Sequence, residues 1–133
     1  QAAVAVGPLV DFPAAMRRLE TKVTYGTDAV TYLRSHVALL LGGAPDAAAS
    51  VYSQADPTRY LGYPDAPVLA IFGGADPRAD AEQARTLLDA MVGRAVRHSV
   101  IVVTGGSSGF VALASPQTDY PMWSFLDKML LGK

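Results

Sequence analysis

The chain contains no cysteine. That absence excludes disulfides, thiolate metal sites and a cysteine nucleophile. Only two histidines occur, His36 and His98. They lie far apart without ligand spacing, so no zinc site is expected, and nothing else in the chain calls for a metal or cofactor. Charged residues make up 17% of the chain and the net charge is −1, with no basic block. That excludes the electrostatic footprint of a nucleic-acid or anionic-membrane binder. No apolar run approaches the roughly 20 residues that span a bilayer. Repeats, heptads and low-complexity tracts are missing as well. No signal peptide is recognisable, yet the first residue is Gln1 rather than Met. The expectation is a processed product or part of a longer one, with its compartment left open.

What is present is a core. Half of the 133 residues are hydrophobic, enough for one folded domain. The organising stretch is Ala66-Pro67-Val68-Leu69-Ala70-Ile71-Phe72-Gly73-Gly74-Ala75-Asp76-Pro77. A short unbroken apolar run between turn residues suits a strand buried on both faces of a parallel sheet. Asp76 follows its C-terminal end, the edge where open α/β sheets gather ligands and catalytic groups.

Ala2 to Val6 and Ser99 to Val103 read as two further buried strands. The first of them needs a neighbour on each side, and the missing neighbour is expected in material N-terminal to this chain. Pro13 opens a short helix through Leu19. Thr27 is a candidate N-cap for a helix whose apolar stripe is Val30, Leu33, Val37 and Leu40, ended by Gly42-Gly43. Pro45 starts another helix, Asp46 to about Gln54, and Asp56 to Pro67 reads as turn and connector. Asp80 with Gln83 forms a capping-box pattern for a helix over 80–92, buried through Ala84, Leu87, Leu88 and Met91 and closed by Gly93. Thr104 to Phe110 is a glycine-rich loop. A last helix spans about 120–131, with Pro121 near its start and Trp123, Leu126, Met129 and Leu130 as its apolar face. Strands alternating with helices imply α/β class: a three-layer parallel sheet with flanking helices.

The segment Leu40 to Asp80, with its Pro-Val-Leu-x-x-x-Gly-x-x-Asp strand and turn from Pro67 to Asp76, resembles the second half of α/β-hydrolase esterases, lipases and related serine peptidases. The likeness extends from the strand Ala2 to Asp11 through Phe110. It implies a single partial domain over 1–133: strand 2–6, a helical insertion over about 13–54, strand 68–72, helix 80–92, strand 99–103 and helix 120–131. In that family the turn occupied by Asp76 carries the acid of a Ser-His-Asp triad, which holds the histidine in its working tautomer. The other role open to Asp76 is that of a turn cap before Pro77.

The family histidine lies in a Gly-x-Gly-His-Gly-Phe loop, and here Ser108 stands in its place. Serine has no group that titrates near neutrality and cannot serve as the base. His98 precedes the last strand, out of reach of Asp76, and His36 reads as a helix-surface residue. Gly105-Gly106-Ser107-Ser108-Gly109 is read in the register Gly106-Ser107-Ser108-Gly109, one residue short of the Gly-x-Ser-x-Gly nucleophile elbow; it follows the last strand rather than a central one and is treated as a coincidence. The loop also lacks the lysine and spacing of a phosphate loop. Tyr25, Tyr32 and Phe110 could line an acyl or aryl pocket beneath the insertion. Phe110 and Trp123 read otherwise as core.

Two functions follow as expectations. One is the C-terminal portion of a serine hydrolase acting on ester, peptide or thioester bonds. Its partner is then an N-terminal half of the same fold, which supplies the nucleophile, and its ligand a small ester or acyl compound. The other is an inactive α/β-hydrolase-like scaffold serving binding or assembly. A free-standing flavodoxin-like domain is disfavoured by the three strands and the missing phosphate loop.

Overall fold

Val68 to Phe72 form the spine of the molecule because nothing in that run is polar and both of its faces find a helix. The computed structural model describes residues 1–21, 35–62, 66–76, 79, 81–107 and 109–132. Three strands, β1 (Ala3–Val6), β2 (Val68–Gly73) and β3 (His98–Val103), form one sheet in the order β1-β2-β3. All pairing is parallel, Ala3 to Val6 against Val68 to Ile71, and Val68 to Gly73 against His98 to Val103. The helices are α1 (Phe12–Thr21), α2 (Ala49–Ala55), α3 (Ala81–Gly93), α4 (Gly109–Leu113) and α5 (Pro116–Leu131). The expected α/β architecture, a parallel sheet with flanking helices, is present.

Strand alternation divides the core in two. Ala70 and Phe72 face Ala84, Leu87 and Met91 of α3, with Val10 and Val96. Leu69 and Ile71 face the other way, onto Ala112 of α4 and Phe125 of α5. Leu69 through Phe72 are 0% exposed, as the apolar run predicts. The two outer strands differ from expectation. Among the described residues β1 is a border strand, with Val4 37% and Val6 36% exposed, not a ribbon buried on both faces. β3 is the opposite border and only half-buried for most of its length. An apolar run specifies strand; how deeply it is buried depends on neighbours that the run does not encode.

Local signals set most boundaries. Asp11 caps α1, its Oδ1 accepting from the Ala14 amide at 2.8 Å, with Pro13 in the first turn. Residues 35–40 are helical and end in a Schellman turn. There Gly43 N donates to Ala38 O and Gly42, at φ +80°, donates to Leu39 O. Val37 and Leu41 pack on Met16 and Tyr52, while Leu40, expected in the buried stripe, is largely exposed. Thr27, Val30 and Leu33 lie outside the described residues. The helix expected from Asp46 starts at Ala49, after a turn over 45–47. Pro57–Tyr60 then form a 3-10 turn capped by Asp56.

Of the expected stripe on α3, Ala84, Leu87 and Met91 are buried and Leu88 is half-buried, and the helix ends at Gly93 as expected. The left-handed residue is Ala95 (φ 55°), where Ala95 N donates to Val92 O and Val96 N to Met91 O. Burial of Val96 beside Met91 fixes the register of that turn. The last helix starts at Pro116, earlier than expected, because Ser115 caps it and Pro116 takes its first position; Pro121 is internal. Trp123, expected in the core, is 57% exposed and donates from Nε1 to Asp119 Oδ1 at 3.0 Å. The buried face of α5 belongs instead to Thr118 and Phe125.

Candidate functional site

Three loops leave the C-terminal end of the sheet, and bonds between them join that end into one rim. After β2 the chain turns at once: Asp76 N donates to Gly73 O at 3.0 Å. Asp76 is 2% exposed, and its Oδ1 lies 3.4 Å from the Ala79 amide, a turn-capping position. The loop after β3 is bonded to this turn. Gly74 N donates to Val103 O at 2.8 Å and Ala75 N to Gly106 O at 2.9 Å.

This junction is tight enough to favour glycine. A Cβ on Gly106 would stand 3.2 Å from Gly73 Cα and 3.2 Å from Val103 O, both backbone atoms. Gly105 adopts φ +73°. The turn carrying Asp76 and the loop leading to Ser107 are therefore held in direct backbone contact.

The third loop, between β1 and α1, is tied in by Gln83 of α3. This side chain is 1% exposed. Its Oε1 accepts from the amides of Val10 and Asp11, both at 2.9 Å, and its Nε2 donates to Asp11 O at 3.1 Å. The sequence suggested a capping-box role with Asp80, which lies outside the described residues. The long-range clamp had no local signature; a glutamine on the apolar stripe beside Ala84 and Leu87 was its only trace.

Beside this rim α1 and α2 enclose an open cavity of about 350 Å3. Asp11, Pro13, Arg17, Asp46, Tyr52 and Asp56 are among the residues lining it. Tyr52 is completely buried and donates from its hydroxyl to Gly43 O, so it is a structural wall. Arg17 and Asp46 pair at 3.4 Å while largely exposed, a contact worth little to stability.

Of the expected site residues, the structure positions Asp76. Ser108, Tyr25 and Tyr32 lie outside the described residues. Phe110 falls within α4, but its side chain is likewise outside the description. His98 opens β3, at the end of the sheet opposite Asp76, with Nδ1 2.6 Å from Val96 O. His36 is exposed on the helical residues 35–40. Among the described residues no group of three potential ligands could hold a metal ion. None of the helices is long and apolar enough to cross a membrane, again among those residues.

The glycine loop corrects one expectation. Gly105 to Gly109 does meet the Gly-x-Ser-x-Gly spacing, with Ser107 at its centre, and it joins β3 to α4. Strand–turn–helix is the setting of a nucleophile elbow. Ser107 is exposed, but it lacks the strain that such a turn imposes: among described non-glycine residues only Ala95 has a positive φ. His98 starts the same strand at its far end, so it cannot activate Ser107.

No protein-family model matches the chain, and no curated protein matches it either.

Proposed function

We propose that residues 1–133 are the C-terminal portion of a serine hydrolase of the α/β-hydrolase type, acting on ester, peptide or thioester bonds. Asp76 occupies the triad-acid position, and an N-terminal half of the same fold supplies the nucleophile and oxyanion donors. The observation that carries this reading is the buried carboxylate of Asp76 at the end of the central strand, on a turn bonded to the loop after β3. In the resembled family those two loops hold the acid and the histidine. An acid there orients the imidazole and stabilises the imidazolium formed as the nucleophile gives up its proton. The base is the missing part, since Ser108 takes its position.

That same substitution favours a second reading, an inactive scaffold used for binding or assembly. Ester turnover by the intact gene product, measured with p-nitrophenyl butyrate, separates the two. Under the hydrolase reading Ser108→His supplies the missing base and raises turnover, and Asp76→Asn added to that variant lowers kcat/KM by at least about tenfold while leaving the fold intact. Asn retains an oxygen acceptor for the Ala79 amide, so a pure turn cap would survive this change. Turnover unaffected by Asp76→Asn defeats the catalytic role; no turnover in the intact product or its Ser108→His variant leaves the scaffold.

A further inference from the structure

We infer that the cavity between α1 and α2 binds a small organic cation, an alkyl chain ending in a guanidinium or ammonium group. This rests on the lining of the cavity and not on the hydrolase reading; under that reading the cation is a basic group of the substrate, held beside the rim. The volume of about 350 Å3 is that of a small-molecule site. Asp11, in the loop that Gln83 ties to the rim, forms one wall, and Asp56, at the end of α2, forms another.

Charge fixes the sign of the ligand. Asp11, Asp46 and Asp56 line the cavity against one guanidinium, Arg17. Arg17 and Asp46 pair with each other, 3.4 Å apart and exposed. That leaves Asp11 and Asp56, both half-buried. Asp11 Oδ1 accepts from the Ala14 amide, and Asp56 Oδ1 accepts from the amide and the hydroxyl of Thr58. Among the described residues the second oxygen of each carboxylate has no donor, and no positive side chain pairs with either. A carboxylate in a partly dry wall without a counter-charge gains most from an incoming cation.

Spacing and shape fix the class. Among the described residues no three potential ligands stand close enough to hold a metal ion, so these carboxylates are dispersed around the cavity and form no ion cage. A guanidinium or ammonium group carries several donors and can serve carboxylates set apart. Pro13, Pro45, Ala49 and the completely buried Tyr52 complete an apolar lining that suits a short methylene stem.

The test is a titration of the intact gene product with butylguanidine, n-butylamine and butyrate, followed by backbone amide NMR shifts. The three probes share a stem and differ in the head. The cations are expected to saturate one site, with the largest shifts at Ala49 and Ser53, and butyrate is expected to give no saturable shift. Asp11→Asn and Asp56→Asn keep an oxygen acceptor for their caps, so the local fold survives, and each is expected to weaken cation binding at least about fivefold. Arg17→Gln frees Asp46 and is expected to bind the cations at least as tightly, and Asp127→Asn, on α5, to bind them unchanged. Absence of saturation, equal binding of butyrate, or indifference to both Asn changes overturns the inference. An Asp127→Asn loss as large as theirs overturns it as well, and so does weaker binding in Arg17→Gln, where the guanidinium would be the group that holds the ligand. Cation binding that depends on Asp11 and Asp56, without ester turnover, upholds the site and defeats the hydrolase reading alone.

Discussion

Replacing Gln83 by Met removes the clamp while keeping nearly the same side-chain volume. Three backbone groups lose their partner: the amides of Val10 and Asp11 and the carbonyl of Asp11. Val10 is 1% exposed, so its amide cannot turn to solvent without opening the loop. A buried group left unsatisfied costs about 1–3 kcal/mol. Asp11 is only half-buried and recovers part of its loss from water. The sum is about 3 kcal/mol, a large share of a typical domain's stability. With a urea m-value of about 2 kcal/mol/M, the unfolding midpoint falls by about 1.5 M. Equilibrium urea denaturation followed by far-UV circular dichroism reads this directly, and an unchanged m-value shows that the denatured state is not the cause. A loss under about 1 kcal/mol would refute the claim that this glutamine ties the β1–α1 loop to the rim.

Two further substitutions test backbone geometry. Ala95→Gly should stabilise the protein by about 0.5–1 kcal/mol in the same assay, because the left-handed φ of 55° strains a Cβ and the local bonds need no change. Gly106→Ala should cost about 1–3 kcal/mol, since its Cβ meets backbone on two sides at 3.2 Å, and it should loosen the Asp76 turn, seen as faster amide exchange at Ala75.

The strands were legible because uninterrupted apolar runs bounded by Gly and Pro have few other uses, and Asp76 was placed because it follows such a run directly. The stripe on α3 was equally clear from the spacing of Ala84, Leu87 and Met91. What the sequence hid was relational. Val4 and Val6 look as apolar as Leu69 and Ile71, but only the number of neighbours decides which are sealed. Trp123 is hydrophobic, yet α5 turns it outward because Thr118 fits beneath α4, its Oγ1 within 2.9 Å of three carbonyls, Ala112, Leu113 and Ser115. Ser115-Pro116 and Pro121 are rival helix starts, and the serine cap decides between them. Gly93 ends α3, but the left-handed turn that follows falls at Ala95, beside the buried Val96.

These relational features converge on the rim that bears Asp76. Gln83 links the loop after β1 to α3, and α3 is the helix that follows the Asp76 turn. Ala75 and Gly106 link that turn to the loop after β3. Each link runs through a neutral amide or carbonyl, so none weakens with salt as a surface ion pair does. A carboxylate that must orient another group needs a carrier that does not drift, because angstrom-scale displacement of a reacting group costs orders of magnitude in rate. The opposite end of the sheet is joined by backbone bonds, Ala3 N to Pro67 O and Val68 N to Arg97 O, and His98 there bonds the carbonyl two residues before it. To the Asp76 end Gln83 adds a buried side-chain tie between α3 and the loop after β1, elements far apart in sequence.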